Sequence, residues 1–413
     1  MADAAIVIVG GGRAAASLVE AYRAAGGEDF LTVISEDTEP PYNRPPLSKG
    51  FLRGEIGRDE VLAHPTAFYE ANVVEVRLGE RVDRVDPARR VVLLAGGEEV
   101  SYTKLVIASG ARPRPLTLPG ADLPDVHTYR TLADATAVRD LAADAKKALI
   151  VGGSFIGSEV AASLRLRGLE VTIVELGERL MPALASDALS TQLVELYRDR
   201  GVEVLLGESI AELTANGRSL TGAVTGSGRR IEAFLVVVGV GVEANVTFLE
   251  GAGIELDDGV VVDERFRSSL PGVYAVGDVA RYPDPVAGRT RRIEHWSAAD
   301  AQGAYLGRQL AGARAVYAEV PVFFTQLFDL KLQVMGDIEG TDEVVLRGSV
   351  GEGRLLGFYL REGRLSGVVL AGQNADVAEE LRQLVREGPD APERALLANE
   401  TVRPAAAFAG ALS

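Results

Sequence analysis

Ala4-Ala5-Ile6-Val7-Ile8-Val9-Gly10-Gly11-Gly12-Arg13-Ala14-Ala15-Ala16 decides how the rest of the chain is read. A continuous apolar run that ends in glycines fits a parallel strand covered on both faces. The glycines allow a tight turn and a close approach of backbone to an anion, and the alanines after them start a helix. The N-terminus of that helix carries unpaired N–H groups and a partial positive charge, which suits a pyrophosphate. The pattern is Gly10-x-Gly12-x-x-Ala15, with alanine at a position that permits it. After Gly26-Gly27 the chain returns as Phe30-Leu31-Thr32-Val33-Ile34-Ser35-Glu36. Glu36 closes that second strand, where a carboxylate can accept hydrogen bonds from a ribose diol. The loop alone is a weak signal, since a plain tight turn can look the same; strand, loop, helix, strand and acid together point to a dinucleotide-binding fold.

The unit occurs twice. Lys147-Ala148-Leu149-Ile150-Val151-Gly152-Gly153-Ser154-Phe155-Ile156-Gly157 is again strand, glycine turn and helix start, and Val171-Thr172-Ile173-Val174-Glu175 is again a strand ending in an acid. Two such folds in one chain imply two dinucleotides. Ser154 occupies the middle glycine position and needs more room near a phosphate. A carboxylate at Glu175 suits the free ribose hydroxyls of NAD and repels the extra phosphate of NADP, with Arg179 close enough in sequence to soften this.

Composition narrows the chemistry. The 413 residues exceed the usual size of one core, so two or three domains are expected. A net charge of −16 argues against nucleic acid or an anionic membrane surface as the main partner. No apolar run has the length of a membrane helix, and the N-terminus lacks the basic region of a signal peptide, so a cytoplasmic location is expected. There is no cysteine and there are three histidines. That removes a redox disulfide, a thiolate metal site and a cysteine-ligated cluster, and a metal centre is not expected. Redox chemistry in such a chain must live on a bound organic cofactor.

Between the repeats, Glu39–Gly50 carries four prolines and reads as a stiff extended loop presenting Arg44 and Lys49. Short strands follow at Val73–Leu78, Arg81–Asp86, Arg90–Leu94, Glu99–Tyr102 and Lys104–Ala108, with a hairpin at Gly96-Gly97. Ala108-Ser109-Gly110 ends a buried strand in small residues, which suits either a ligand passing close by or a plain strand-to-loop exit. Residues 112–124 and Gly241–Asn245 read as linkers, and Ala233–Gly239 as the last strand of the second unit. Val273–Val276 reads as a strand, with Gly277-Asp278 opening a helix that Asp278 could cap. Ser297–Leu310 reads as a helix behind the single tryptophan, Trp296. From Pro321 the pattern becomes antiparallel, with strands at Val344–Arg347, Arg354–Arg361 and Arg364–Leu370 and a terminal helix at Asp376–Glu387. The last fifteen residues, rich in alanine, read as loosely held.

Pro41-Tyr42-Asn43-Arg44-Pro45-Pro46-Leu47-Ser48-Lys49, Gly157-Ser158-Glu159-Val160-Ala161-Ala162, Tyr274-Ala275-Val276-Gly277-Asp278, and Glu294-His295-Trp296 with Gln302-Gly303 occur in this order. In these motifs, up to about residue 372, the chain resembles the FAD-dependent pyridine nucleotide-disulphide oxidoreductase superfamily without its redox cysteines. Within it, the chain is similar to the NADH-dependent ferredoxin reductases of oxygenase systems. The resemblance implies an α/β fold with two Rossmann-like domains and a C-terminal α+β domain with an antiparallel sheet. It sets an FAD-binding domain at residues 1–112 and 244–318, an NAD-binding domain at 113–243, and the C-terminal domain at 319–413.

It further implies FAD at Gly10, Gly12, Ala15 and Glu36, with Arg44, Pro45, Lys49, Ala108, Ser109, Gly110, Gly277, Asp278, Glu294, His295, Trp296 and Phe324 along the cofactor. NADH would lie at Gly152, Ser154, Phe155, Ile156, Gly157 and Glu175, with Gly239 and Gly241. Lys49, paired with Glu159, would stand beside the flavin where hydride arrives. The sequence departs from the family at Ser154 (commonly glycine), Ala244 (often proline), Phe324 (often tryptophan) and Gln326 (often aspartate). The implied activity passes electrons from NADH through FAD to a [2Fe-2S] ferredoxin that serves an oxygenase. Rubredoxin, quinone or oxygen are alternative acceptors, and an NADH-sensing flavoprotein of the apoptosis-inducing-factor type is a non-catalytic alternative. Ferredoxins are usually acidic, as is this chain, so docking would need a local basic patch; Arg289, Arg291 and Arg292 are the candidates.

Overall fold

The computed structural model describes residues 6–409; Ala4 and Ala5 of the opening strand and the last four residues of the tail lie outside the described residues. The chain divides into two compact units, one of Met1–Pro45, Gly57–Arg112 and Val242–Glu319, the other of Pro46–Ile56, Pro113–Gly241 and Val320–Ser413. Among the described residues no helix is long and apolar enough to cross a membrane.

The first unit is organised on a five-stranded parallel sheet in the order Val273–Ala275, Lys104–Ile107, Ile6–Val9, Leu31–Ser35, Val74–Leu78. Ile6–Val9 is buried along its whole length, which a strand covered on both faces requires. The helix Arg13–Ala24 packs along the helix Trp296–Leu310 so closely that a Cβ at Gly303 would stand 2.2 Å from the Ala14 carbonyl oxygen. A separate antiparallel meander holds Val82–Asp86, Val91–Leu94 and Glu99–Ser101.

Two readings in this unit need correction. Gly277-Asp278 does not open a helix: Gly277–Val279 is one tight helical turn that runs into the strand Ala280–Asp284. Burial alternates along that strand, and Pro283 would have broken a helix. Residues 112–124 and Gly241–Asn245 are not wholly linker either. Ala111–Pro113 pairs with Val242–Ala244, and Arg112 and Glu243 form an ion pair across the ladder.

The second unit repeats the architecture, with parallel strands in the order Val202–Leu205, Glu170–Val174, Lys147–Val151, Leu235–Val238, Val126–Thr128. Its C-terminal part is a five-stranded antiparallel sheet in the order Val322–Leu327, Leu330–Gly336, Arg364–Ala371, Arg354–Arg361, Glu343–Ser349.

The proline-rich stretch is extended only up to its prolines. Pro46 is already helical, and Leu47–Phe51 forms a wide helical turn. Proline before a helix loses nothing, because the N–H it lacks would be unbonded there anyway. The reading of the last fifteen residues as loosely held also fails for those described. Pro404–Ala409 is helical, Ala407 and Phe408 are buried, and Arg403 pairs with Glu380.

Candidate nucleotide-binding sites

In each parallel sheet the strand order reverses beside the strand that carries the glycine loop. In the first unit the reversal lies between Ile6–Val9 and Lys104–Ile107, and the loops leaving these strands meet at Gly10 and Ala108. Gly10 has φ +115°, and a Cβ there would stand 2.2 Å from the Ala108 carbonyl oxygen, so only glycine lets the two loops close up. In the second unit Gly152 (φ +102°) and Gly239 meet in the same way, with 2.5 Å from a Cβ to the carbonyl oxygen. Open α/β sheets bind ligands in the crevice at such a reversal.

The two crevices differ at the helix that follows. Gly12 precedes Arg13–Ala24 with no side chain capping the helix, and the nearest atom to a Cβ on Gly12 is Arg44 Nη1 at 3.6 Å. A 12-residue helix end left without a side-chain cap, beside a guanidinium, has the charge and donors a pyrophosphate needs. Ala15 is buried in the first turn, and Glu36 is exposed at the end of Leu31–Ser35. In the second crevice Ser154 caps Phe155–Leu166, its hydroxyl accepting from the Gly157 N–H at 3.3 Å. The serine thus takes a helix-end donor that a glycine would leave open. Glu175 lies across this loop, accepting from the Gly153 N–H at 2.6 Å and the Gly177 N–H at 2.7 Å. Arg179 is tied to Asp187. Ile156 is exposed, Phe155 packs edge-on against Phe323, and Gly239 and Gly241 leave the Leu235–Val238 strand.

The structure gathers most of the first set of expected site residues in the first unit. Pro45 precedes the turn, and Ser109 donates to the Asn245 carbonyl at 2.7 Å next to Gly110. Gly277 N–H donates to Gln302 Oε1 at 2.8 Å, and Asp278 beside it is buried. Trp296 Nε1 donates to Asn43 at 2.9 Å, and the Arg13 guanidinium lies over the indole at 5.0 Å while bonding Asp300 at 2.7 Å. Burial pushes His295 down from 6.5 to about 4, so the ring is neutral at pH 7. Glu294 is exposed and pairs with Arg292. Arg291 pairs with the buried Asp284 at 2.6 Å, Arg292 also with Asp258 at 3.1 Å, and Arg289 stands opposite Asp284 on the hairpin.

Lys49 and Phe324 belong to the second unit, with the second crevice. Lys49 Nζ donates to Glu159 Oε2 at 2.6 Å, both side chains being buried. Phe324 is 55% exposed, with its ring 5.8 Å from Lys49 Nζ. The turn that carries Lys49 is anchored through its carbonyls: Leu47 accepts from Tyr129 Oη at 2.6 Å and Ser48 from Ser163 Oγ at 2.6 Å.

Several partners escaped sequence reasoning. Asn43 and Gln302 stood inside the motifs without an assigned task, and Ser48 stood next to Lys49. Thr325 and Arg13 carried no signal, because their partners are 166 and 287 residues away.

Comparison with known proteins splits the chain once, after both parallel sheets and before the five-stranded antiparallel one. Residues 4–303 match the pyridine nucleotide-disulphide oxidoreductase family and residues 322–405 the reductase C-terminal family. Rhodocoxin reductase of Rhodococcus erythropolis is 34% identical over 390 residues, covering 94% of this chain and 91% of the relative. The ferredoxin–NAD(+) reductase subunit of the benzene 1,2-dioxygenase system of Pseudomonas putida is 35% identical over 373 residues, covering 90% of each. The crystal structure of the covalent putidaredoxin reductase–putidaredoxin complex superposes with a TM-score of 0.94 at 28% identity, covering 100% of both chains.

Proposed function

The chain belongs to the pyridine nucleotide-disulphide oxidoreductase family, and from that premise we propose that it is an NADH-dependent ferredoxin reductase. It takes electrons from NADH on a resident FAD and hands them to a [2Fe-2S] ferredoxin that feeds an oxygenase. The observation that carries this reading is the matched pair of crevices, Gly10 against Ala108 and Gly152 against Gly239, in a chain without cysteine. Two dinucleotides have a place, and no protein thiol can join the electron path.

The first crevice fits FAD: the Arg13–Ala24 helix has no side-chain cap, the loop is closed to any Cβ at Gly10, and Arg44 stands beside it. Bound FAD supplies a ring that takes a hydride from the nicotinamide and releases electrons singly. The chain's own work is positioning. Gly10, Gly12, Ala15 and Arg44 would hold the diphosphate and Glu36 the ribose. Pro45, Ala108–Gly110, Gly277, Asp278, Glu294, His295 and Trp296 would hold the remainder. Gly152, Phe155, Ile156, Gly157, Gly239 and Gly241 would seat NADH, with Glu175 reading its ribose. Lys49, fixed by Glu159, would put a positive charge near the ring as negative charge builds there, and the Phe324 ring lies 5.8 Å from that lysine. The same reading assigns residues 1–112 with 244–318 to FAD, 113–243 to NAD and 319–413 to the acceptor side.

Docking is the part that changes. Arg291 and Arg292 are committed to Asp284, Asp258 and Glu294, so a docking patch at Arg289, Arg291 and Arg292 would carry less free charge than the sequence alone implies.

Anaerobic titration tests the whole. The purified chain is expected to be yellow, to bleach with NADH at lower concentration than with NADPH, and to regain colour on adding a [2Fe-2S] ferredoxin. A colourless chain that cannot take up FAD overturns the proposal.

A further inference from the structure

Glu159 receives more than its lysine. The carboxylate is 3% exposed and accepts four bonds. Ser48 Oγ at 2.5 Å and Lys49 Nζ at 2.6 Å reach Oε2, while Thr325 Oγ1 at 2.7 Å and the Gln326 N–H at 3.4 Å reach Oε1. The donors come from two separate pieces of the second unit, the Leu47–Phe51 turn and the Val322–Leu327 strand, and meet on the Phe155–Leu166 helix that carries Glu159. Tyr129 and Tyr197 also feel the charge of Glu159, but their hydroxyls go to the carbonyls of Leu47 and Ser158 at 2.6 and 2.7 Å. They leave the carboxylate to the hydroxyls and the ammonium.

We propose that Thr325 and Ser48 are positioning residues for the hydride-transfer step, acting through Glu159 to hold the Lys49 ammonium in one place. The last torsion of a glutamate is broad and roughly two-fold, so a lysine on one oxygen cannot set the plane of the carboxylate. A hydroxyl on each oxygen, from two different segments, does set it. Lysine brings a long flexible stem with high rotamer entropy, so the place of its charge is only as well defined as the partner that holds it. Thr325 has the larger effect, because without it Oε1 keeps only the long Gln326 contact in a buried setting. Ser48 shares its oxygen with the lysine and matters less. The inference rests on the reading that Lys49 acts in the hydride step, and its test separates the two.

The full-length, FAD-loaded protein is compared with T325V, T325S, S48A and K49M. Lys49 is probed by trace acetylation and peptide mass, with the exposed Lys146 and Lys331 as internal standards, alongside anaerobic stopped-flow reduction of the flavin by NADH. Loss of a bond to a charged group predicts that T325V raises Lys49 labelling by roughly tenfold and slows flavin reduction by a similar factor. S48A is expected to move both in the same direction by less. T325S must restore both to the parental values. Parental labelling and reduction in T325V, at an unchanged melting temperature, overturn the inference, as does a T325S that fails to rescue. If T325V frees Lys49 for labelling while K49M reduces flavin at the parental rate, the positioning stands and the role of Lys49 in the hydride step falls.

Discussion

A single methyl group is enough to test the first crevice. At Gly10 a Cβ would meet the Ala108 carbonyl, a backbone atom that cannot swing aside, and the φ of +115° is one that alanine resists. Gly10→Ala is therefore expected to purify largely without flavin, with FAD affinity down by at least about tenfold, the equivalent of ~1.4 kcal/mol. Equilibrium dialysis against FAD checks it, and retention at the parental level would place the diphosphate elsewhere. His295 makes a second residue-scale prediction. Its neutral form is favoured in the fold, so the unfolded chain takes up a proton first as the solution is acidified. The stability it contributes is complete above about pH 6.5 and is lost as pH falls towards about 4. His295→Gln should flatten that part of the curve of melting temperature against pH. A slope unchanged in the variant would mean that other groups carry it.

At the scale of elements, legibility followed the range of the interactions. The glycine-loop units were readable because each is local: an apolar run, a turn and a helix start lie within about a dozen residues, and periodicity reports them directly. Leu47–Phe51 was misread because the prolines before it mask a turn that Tyr129, Ser163 and Glu159 hold from far along the chain. The tail was misread for a similar reason. Its alanines pack little by themselves, and the group that fastens them, Arg347, comes from a strand of the C-terminal sheet. The buried guanidinium of Arg347 donates to the carbonyls of Leu397, Val402 (2.7 Å) and Leu396 (2.9 Å), and its face lies 4.9 Å from the Phe358 ring. These are bonds from a charged donor, worth about 1.5–3 kcal/mol each before the cost of burying the charge is subtracted. Arg347→Met keeps the stem and removes the donors. It should open the 394–409 segment to limited proteolysis while leaving flavin content unchanged, and a tail as resistant as the parent's would remove Arg347 from this task.

For the molecule as a whole, charge decides how an acceptor protein arrives. The sequence made the net charge of −16 plain and invited a compensating patch at Arg289, Arg291 and Arg292. What it could not reveal is that Asp284 and Asp258, with Glu294 close by, already pair with Arg291 and Arg292, since pairing across a hairpin is a tertiary fact. The long-range interaction with an acidic ferredoxin is then repulsive. Raising the ionic strength from about 0.01 M to about 0.1 M shortens the screening length from about 30 Å to about 10 Å, which hides the net charges from each other before contact. Added salt should therefore increase kcat/KM for the ferredoxin over this range, the reverse of an electrostatically steered encounter. NADH oxidation with a neutral quinone as acceptor controls for effects on the flavin and on NADH binding. A ferredoxin rate that falls with salt while the quinone rate stays level would show that a local basic surface dominates the approach. Reversing Arg289, Arg291 and Arg292 to Glu one at a time would then show which of them the acceptor meets.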